Sequence, residues 1–147
     1  MNAEDKQRLY ASVEHHEGYR SKAYRDTLGH WTVGYGTNLE TLEIDLATAR
    51  AWLHSRLEWS EAAISTQPGW EGLNGVRKAT LIEMAYQLGG RGCKKFVKMW
   101  SAIEGKDWPR AAREMGHSRW ASQTPKRVNE LKARMLYGTW DGRRPEG

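Results

Sequence analysis

The chain has 147 residues, 23 Lys and Arg against 18 Asp and Glu, and a net charge of +5. That length suits about one domain, which can bury roughly 70% of its unfolded surface unaided, and the single cysteine, Cys93, excludes an intramolecular disulfide. No apolar run approaches the ~20 residues that span a bilayer, and Met1 to Arg8 lack the apolar core of a signal peptide, so a soluble protein made in the cytoplasm is expected.

The basic balance points to an anionic partner, whether nucleic acid, a charged membrane face or an acidic polymer such as cell wall. Eight Trp and six Tyr stand against one Phe. Rings with an apolar face and a polar tip suit sugar or base stacking as well as half-buried packing.

In chain order, Glu4 to Glu17 reads as a helix, with Leu9, Val13 and Glu17 on one stripe and Gly18 ending it. Glu17 thus continues an apolar face, where a carboxyl is partly desolvated, the condition that suits a general acid. From Ala23 to Gly36 the period becomes two. Tyr24 and Asp26 share a strand face, and residues 27–30 form a turn. Trp31, Val33 and Tyr35 then alternate with Thr32, Gly34 and Gly36. The second face, one hydroxyl and two glycines, leaves open space for a ligand to approach the backbone.

After Asn38 the pattern is helical. Asp45 is the expected cap of a long helix carrying Leu46, Ala49, Leu53, Leu57 and Ile64 on one side and stopping at Pro68 and Gly69. Leu81, Met84, Ala85 and Leu88 form the next stripe, closed by Gly89 and Gly90. Cys93, Phe96, Val97, Trp100 and Ile103 form another, ended by Gly105. Asp107 caps a short helix holding Ala111, Ala112 and Met115. Thr124 and Pro125 start the last helix, with Val128, Leu131 and Met135 on its stripe and Gly138 at its end. The tail from Gly142 to Gly147 is expected to be loose. The fold class is α+β, mostly helical with one small N-terminal hairpin.

The chemistry narrows by elimination. The five histidines include no HExxH pair, so zinc hydrolysis is disfavoured, and Cys93 lies on an apolar stripe, the usual place of an inert thiol. No cofactor or metal is expected. Glu17 and Asp26 remain: glycoside hydrolysis needs a protonated carboxyl for the leaving oxygen and an ionised one on the other face of the sugar. Thr32 can hold a water beside Asp26 through its hydroxyl. As a pair of residues alone, Glu17 and Asp26 are weak evidence, since many chains carry such a pair as surface charges.

The block Glu17, Gly18, Tyr24, Asp26, Gly29, Thr32, Gly34 and Gly36 resembles the catalytic signature of the phage-type lysozymes, the endolysin muramidases of the T-even phage enzyme's family. Two further blocks look like the same family: residues 118–127 with residues 138–141, and, less strongly, residues 76–89. The resemblance implies a single lysozyme-like catalytic domain over residues 1–147, with a small hairpin lobe at about 18–44, a helical lobe for the remainder, and a cleft between. It implies Glu17, Asp26 and Thr32 as catalytic residues and Asn38, Tyr86, Gln87 and Arg127 as substrate contacts. Arg127 matches the arginine that pairs with the catalytic glutamate.

There are departures: the segment after Gly36 is shorter than in the T-even member, and Thr37, Asn38 and Leu39 replace its usual residues. Met99 and Glu114 also differ from the family at cleft positions, and carry no role. The resemblance implies hydrolysis, with inversion, of the β-1,4 bond between N-acetylmuramic acid and N-acetylglucosamine. It implies glycan strands and an anionic envelope as partners, no nucleic acid, and a monomer. A holin would release it from the host cytoplasm to the periplasm or wall, lysing the host. The alternatives are a lytic transglycosylase, which needs no water-activating carboxylate, and a basic nucleic-acid-binding module.

Overall fold

The computed structural model describes residues 1–146. It divides into two compact units, Met1–Thr48 and Ala49–Gly147. The first holds helix α1 (Ala3–Glu17) and a three-stranded antiparallel sheet, β1 (Arg20–Arg25), β2 (Trp31–Gly34) and β3 (Thr37–Asn38), in the order β1-β2-β3. The boundary falls inside α2 (Leu46–Ile64), and the second unit continues with α3 (Gly75–Lys94), α4 (Val97–Glu104), α5 (Trp108–Gly116), α6 (Arg119–Gln123) and α7 (Pro125–Tyr137). The α+β class is therefore observed. Among the described residues no helix is long and apolar enough to cross a membrane.

Local chemistry explains the element ends. Asn2 starts α1 by accepting the Asp5 amide at 2.8 Å, and Glu4 and Asp5 sit in the first turn, where the helix dipole favours negative charge. Gly18, at φ +69°, stops it. Asp45 caps α2 by accepting the Thr48 amide at 2.8 Å, as its position in the sequence suggests. Asp107 does the same for α5 through Arg110. Gly138, in the left-handed region, ends α7.

Other expectations need correction. The α1 stripe is not buried: Leu9 and Val13 are nearly half exposed, and α1 has no buried residue. In α2 only Ile64 is buried, and the helix ends there, four residues before Pro68. Residues 70–72 then form a 3-10 turn that the periodicity did not indicate. Gly89 leaves the helical region (φ +79°, ψ 155°), but the chain resumes its helix to Lys94; Gly90 lies too close to Ala63 to carry a side chain. Cys93 therefore belongs to the end of α3, while Val97 opens α4 and points out, 71% exposed. Thr124 precedes α7, yet its hydroxyl donates back to the Trp120 carbonyl (3.0 Å) instead of capping. The tail is tied down as far as Arg143, whose carbonyl accepts from Thr139 while its amide donates to Asp141. Gly147, the last residue of that tail, lies outside the described residues.

The second unit owns the core. Leu81 and Met84 of α3, Met99 and Ile103 of α4, Ala111 and Met115 of α5, and Val128, Leu131 and Met135 of α7 are all essentially inaccessible to solvent. This matches the stripes read for α3, α5 and α7. Polar ties lock the ends of α3 and α7 together. Arg77 donates from Nε to the Met135 carbonyl (2.7 Å) and from Nη2 to the Leu136 carbonyl (2.9 Å), and its guanidinium lies 4.0 Å from the centre of the Trp108 ring. Those are two of the carbonyls that the end of a helix leaves without partners. Asn74 caps α3 and donates to the Gly138 carbonyl.

Candidate active site

Asp26 does not end a strand, as its period with Tyr24 suggested; it opens the β1–β2 turn. Its amide donates to the His30 carbonyl at 2.9 Å, the Gly29 amide returns to the Asp26 carbonyl at 3.0 Å, and Gly29 takes φ +83°. The carboxylate is aimed by the same turn: Oδ1 accepts the Leu28 amide at 2.9 Å and the His30 amide at 2.8 Å. An Asp whose side chain bonds backbone amides two and four residues on is rigidly held. With Oδ1 occupied twice, Oδ2 has no protein donor among the described residues.

Thr32 sits in the central strand, paired with Tyr24 on one side and Asn38 on the other. It is only 3% exposed, so the hydroxyl-and-glycine face is not open at this point, as its alternation suggested. Its Oγ1 donates to the His30 carbonyl at 2.9 Å. Having spent its one proton, the hydroxyl can meet a further group only as an acceptor.

Glu17, the last residue of α1, is exposed, not desolvated as its stripe suggested. The stripe on α1 is narrow, and no element of the first unit buries it. Gly36 leaves room for Glu17: a Cβ built there would stand 2.8 Å from Glu17 Oε2, and Gly36 has φ +80°. The glycine therefore serves two needs, a left-handed turn after β2 and room for a carboxylate. Gly34, at φ +67°, faces open space, as expected of this face. Asn38 is half-buried in β3 and its Oδ1 accepts the Glu40 amide at 2.9 Å.

The remaining residues named from the sequence lie in the second unit. Tyr86 and Arg127 line a groove of about 490 Å³ with Leu53, Leu57, Glu83 and Trp140. Gln87 accepts the Trp120 indole N–H on Oε1 at 2.8 Å, which fixes the amide's orientation. The anion beside Arg127 is Glu83, 3.1 Å from its Nε and 3.7 Å from Arg134 Nη1. Sequence reasoning passed over Glu83 because it sits among the apolar residues of α3, three before Tyr86, and nothing local marks it as an ion-pair partner. It also passed over His30 as a group that holds its neighbours and Gly36 as the residue that leaves room for Glu17. The signal for Gly36 was its place in the glycine pattern; for His30 there was none.

Asp26 is thus held by two amides, Thr32 is bonded to the same His30, and Glu17 lies against Gly36. The profile of the phage lysozyme family matches residues 14–136, and the chain belongs to that family. It is a lysozyme, a glycoside hydrolase that lyses peptidoglycan. It is 25% identical to probable T4-type lysozyme 1 and 28% identical to probable T4-type lysozyme 2, both of Dictyostelium discoideum; each comparison covers 86% of this chain and 92% of the relative. A 71-residue stretch, 48% of this chain, is 34% identical to the pre-baseplate central spike protein Gp5 of Enterobacteria phage T4, covering 12% of that protein.

Proposed function

We propose that this lysozyme is an endolysin cutting the β-1,4 bond between N-acetylmuramic acid and N-acetylglucosamine, with Glu17, Asp26 and Thr32 as its catalytic residues. The observation that carries this reading is the attachment of Asp26 and Thr32 to one residue, His30, which gives an anionic acceptor and a neutral acceptor in fixed relation. Glu17 donates its proton to the glycosidic oxygen as the bond to the anomeric carbon breaks. A water bonded to Asp26 Oδ2 and Thr32 Oγ1 attacks that carbon from the opposite face and gives its proton to Asp26, which inverts the configuration. Glu17 ends ionised and Asp26 protonated, and exchange with solvent restores both.

Gln87, Tyr86, Arg127 and Asn38 are proposed as substrate contacts: Gln87 through its amide N–H groups, Tyr86 by stacking on a sugar ring, Arg127 by its charge, and Asn38 through its free amide nitrogen. The protein acts as a monomer, its positive charge favours an anionic envelope, and nucleic acid is not its target. It is made in the host cytoplasm and reaches the wall after a holin-type lesion. Lysis of producing cells only after their inner membrane is permeabilised is the expected result.

The deciding experiment is digestion of purified peptidoglycan with product masses. Reducing ends with one water added support hydrolysis, whereas 1,6-anhydro ends would make the enzyme a lytic transglycosylase. Glu17→Gln is expected to lower the rate at least about 100-fold, the usual worth of a general acid. A variant of wild-type activity would overturn the assignment.

A further inference from the structure

His30 does more than occupy a turn. Its amide holds Asp26 Oδ1 at 2.8 Å, and its carbonyl accepts both the Thr32 hydroxyl and the Asp26 amide at 2.9 Å. A rotation of the peptide planes at residue 30 would therefore move the carboxylate and the hydroxyl together. Its ring has a separate tether: Nδ1 lies 2.9 Å from Glu40 Oε2. Glu40 is held in turn, because its amide donates to Asn38 Oδ1 and the adjoining Leu39 amide donates to the Trp31 carbonyl at 2.7 Å. The pair thus ties the β1–β2 turn to the segment after β3.

We propose that His30 is a positioning residue for hydrolysis, its ion pair with Glu40 holding the one peptide segment on which both Asp26 and Thr32 depend. The proposal rests on the catalytic roles given above to those two residues. Two charged groups, Asp26 and Arg25, bear on the pair from outside. Glu40 favours the imidazolium by hydrogen bond and by charge, and Asp26 adds a weaker attraction. Arg25, whose guanidinium donates to the Gly29 carbonyl and lies over the Trp31 ring, helps keep Glu40 ionised. His30 is accordingly raised above its ordinary 6.5, and Glu40 is lowered, first by its bond to His30. The sign follows. The ion pair is complete between the lowered value of Glu40 and the raised value of His30, and as pH rises through the latter the ring becomes neutral and the tether weakens to an ordinary hydrogen bond or is lost. Both side chains are nearly half exposed, so the consequence falls on orientation more than on the stability of the unit.

The test uses the intact protein. Profiles of kcat/KM from about pH 5 to about pH 9 on soluble peptidoglycan fragments would be measured for wild type, Glu40→Gln and His30→Gln. In parallel, NMR would follow the His30 ring and the Leu28 amide, which reports on Asp26 Oδ1 from outside the imidazole. The wild type should lose activity severalfold along an alkaline limb matching the ring titration, and the Leu28 shift should follow it. Glu40→Gln should move the part of that limb that follows the ring to lower pH, and His30→Gln should remove that part and leave only the limb that Glu17 sets as general acid. An alkaline limb unmoved in both variants, or a Leu28 amide indifferent to the ring, overturns the proposal. The NMR arm needs no turnover. A protein that fails to cleave peptidoglycan yet shows the coupled titration sinks the catalytic reading and leaves the His30 tether standing.

Discussion

The two units of this lysozyme are held together by different means. In Met1–Thr48 Thr32 is, among the described residues, the single buried one, and order comes from turns, side-chain bonds to backbone and glycines at positive φ. In Ala49–Gly147 a continuous apolar core runs from Ile64 to Met135, with Trp70, Trp100 and Trp120 packed into it. Apolar burial is non-directional and strong, whereas hydrogen bonds contribute less net stability and fix angles. The chemistry proposed here stands where angles are fixed, and the stability where area is buried.

That contrast can be broken most forcefully by a core truncation. Leu81→Ala should cost about 2–5 kcal/mol, since the side chain is fully inaccessible, while Leu28→Ala, on the 81% exposed turn residue, should stay within about 0.5 kcal/mol. Equal shifts in thermal midpoint would show that the first unit hides a core of its own.

Gly36→Ala sharpens the same point from the other side. An alanine there meets the Glu17 carboxylate and adopts φ +80° at about 1–2 kcal/mol. Because the end of the Glu17 side chain can swing aside, activity should fall more than about tenfold, a larger loss than the strain alone explains. Measured kcat beside the thermal midpoint separates the two effects.

Cys93 offers a probe of the core that requires no mutation. Burial pushes its thiol up to about 12, so reagents that need thiolate should ignore it near neutrality until the second unit opens. Labelling at the rate seen for a free thiol in native buffer would contradict the packing around α3.

The smallest effect concerns Asp45. The Thr48 hydroxyl and amide hold its carboxyl below the ordinary 3.8. A lowered folded value means that the cap's contribution is present above the ordinary value and fades as pH falls through the lower one. Acid should fray the first turn of α2, and Asp45→Asn should remove that pH dependence; the far-ultraviolet helix signal checks both.

Element positions were legible in the sequence where one local cause dominates. The caps at Asp45 and Asp107, the stop at Gly138 and the stripes of α3, α5 and α7 depend on neighbours within a few residues. Periodicity failed where burial depends on what faces the helix: Leu9, Val13, Leu46 and Leu53 carry the right spacing, yet remain exposed. Thr124 had the right identity for a cap, but the Trp120 carbonyl, offered by α6, took its hydroxyl instead.

By itself the sequence determined the class, the α+β division and the candidate carboxylates, since the glycine and threonine spacing from Glu17 to Gly36 encodes backbone turns directly. Only the tertiary structure decided what surrounds those groups. It placed Glu17 over Gly36, set Glu83 beside Arg127, and made His30 the anchor of Asp26 and Thr32. The first two are contacts between residues distant in sequence, whose nearness comes from chain folding, while the His30 bonds lie within one turn, where residue identity alone did not say which groups would pair.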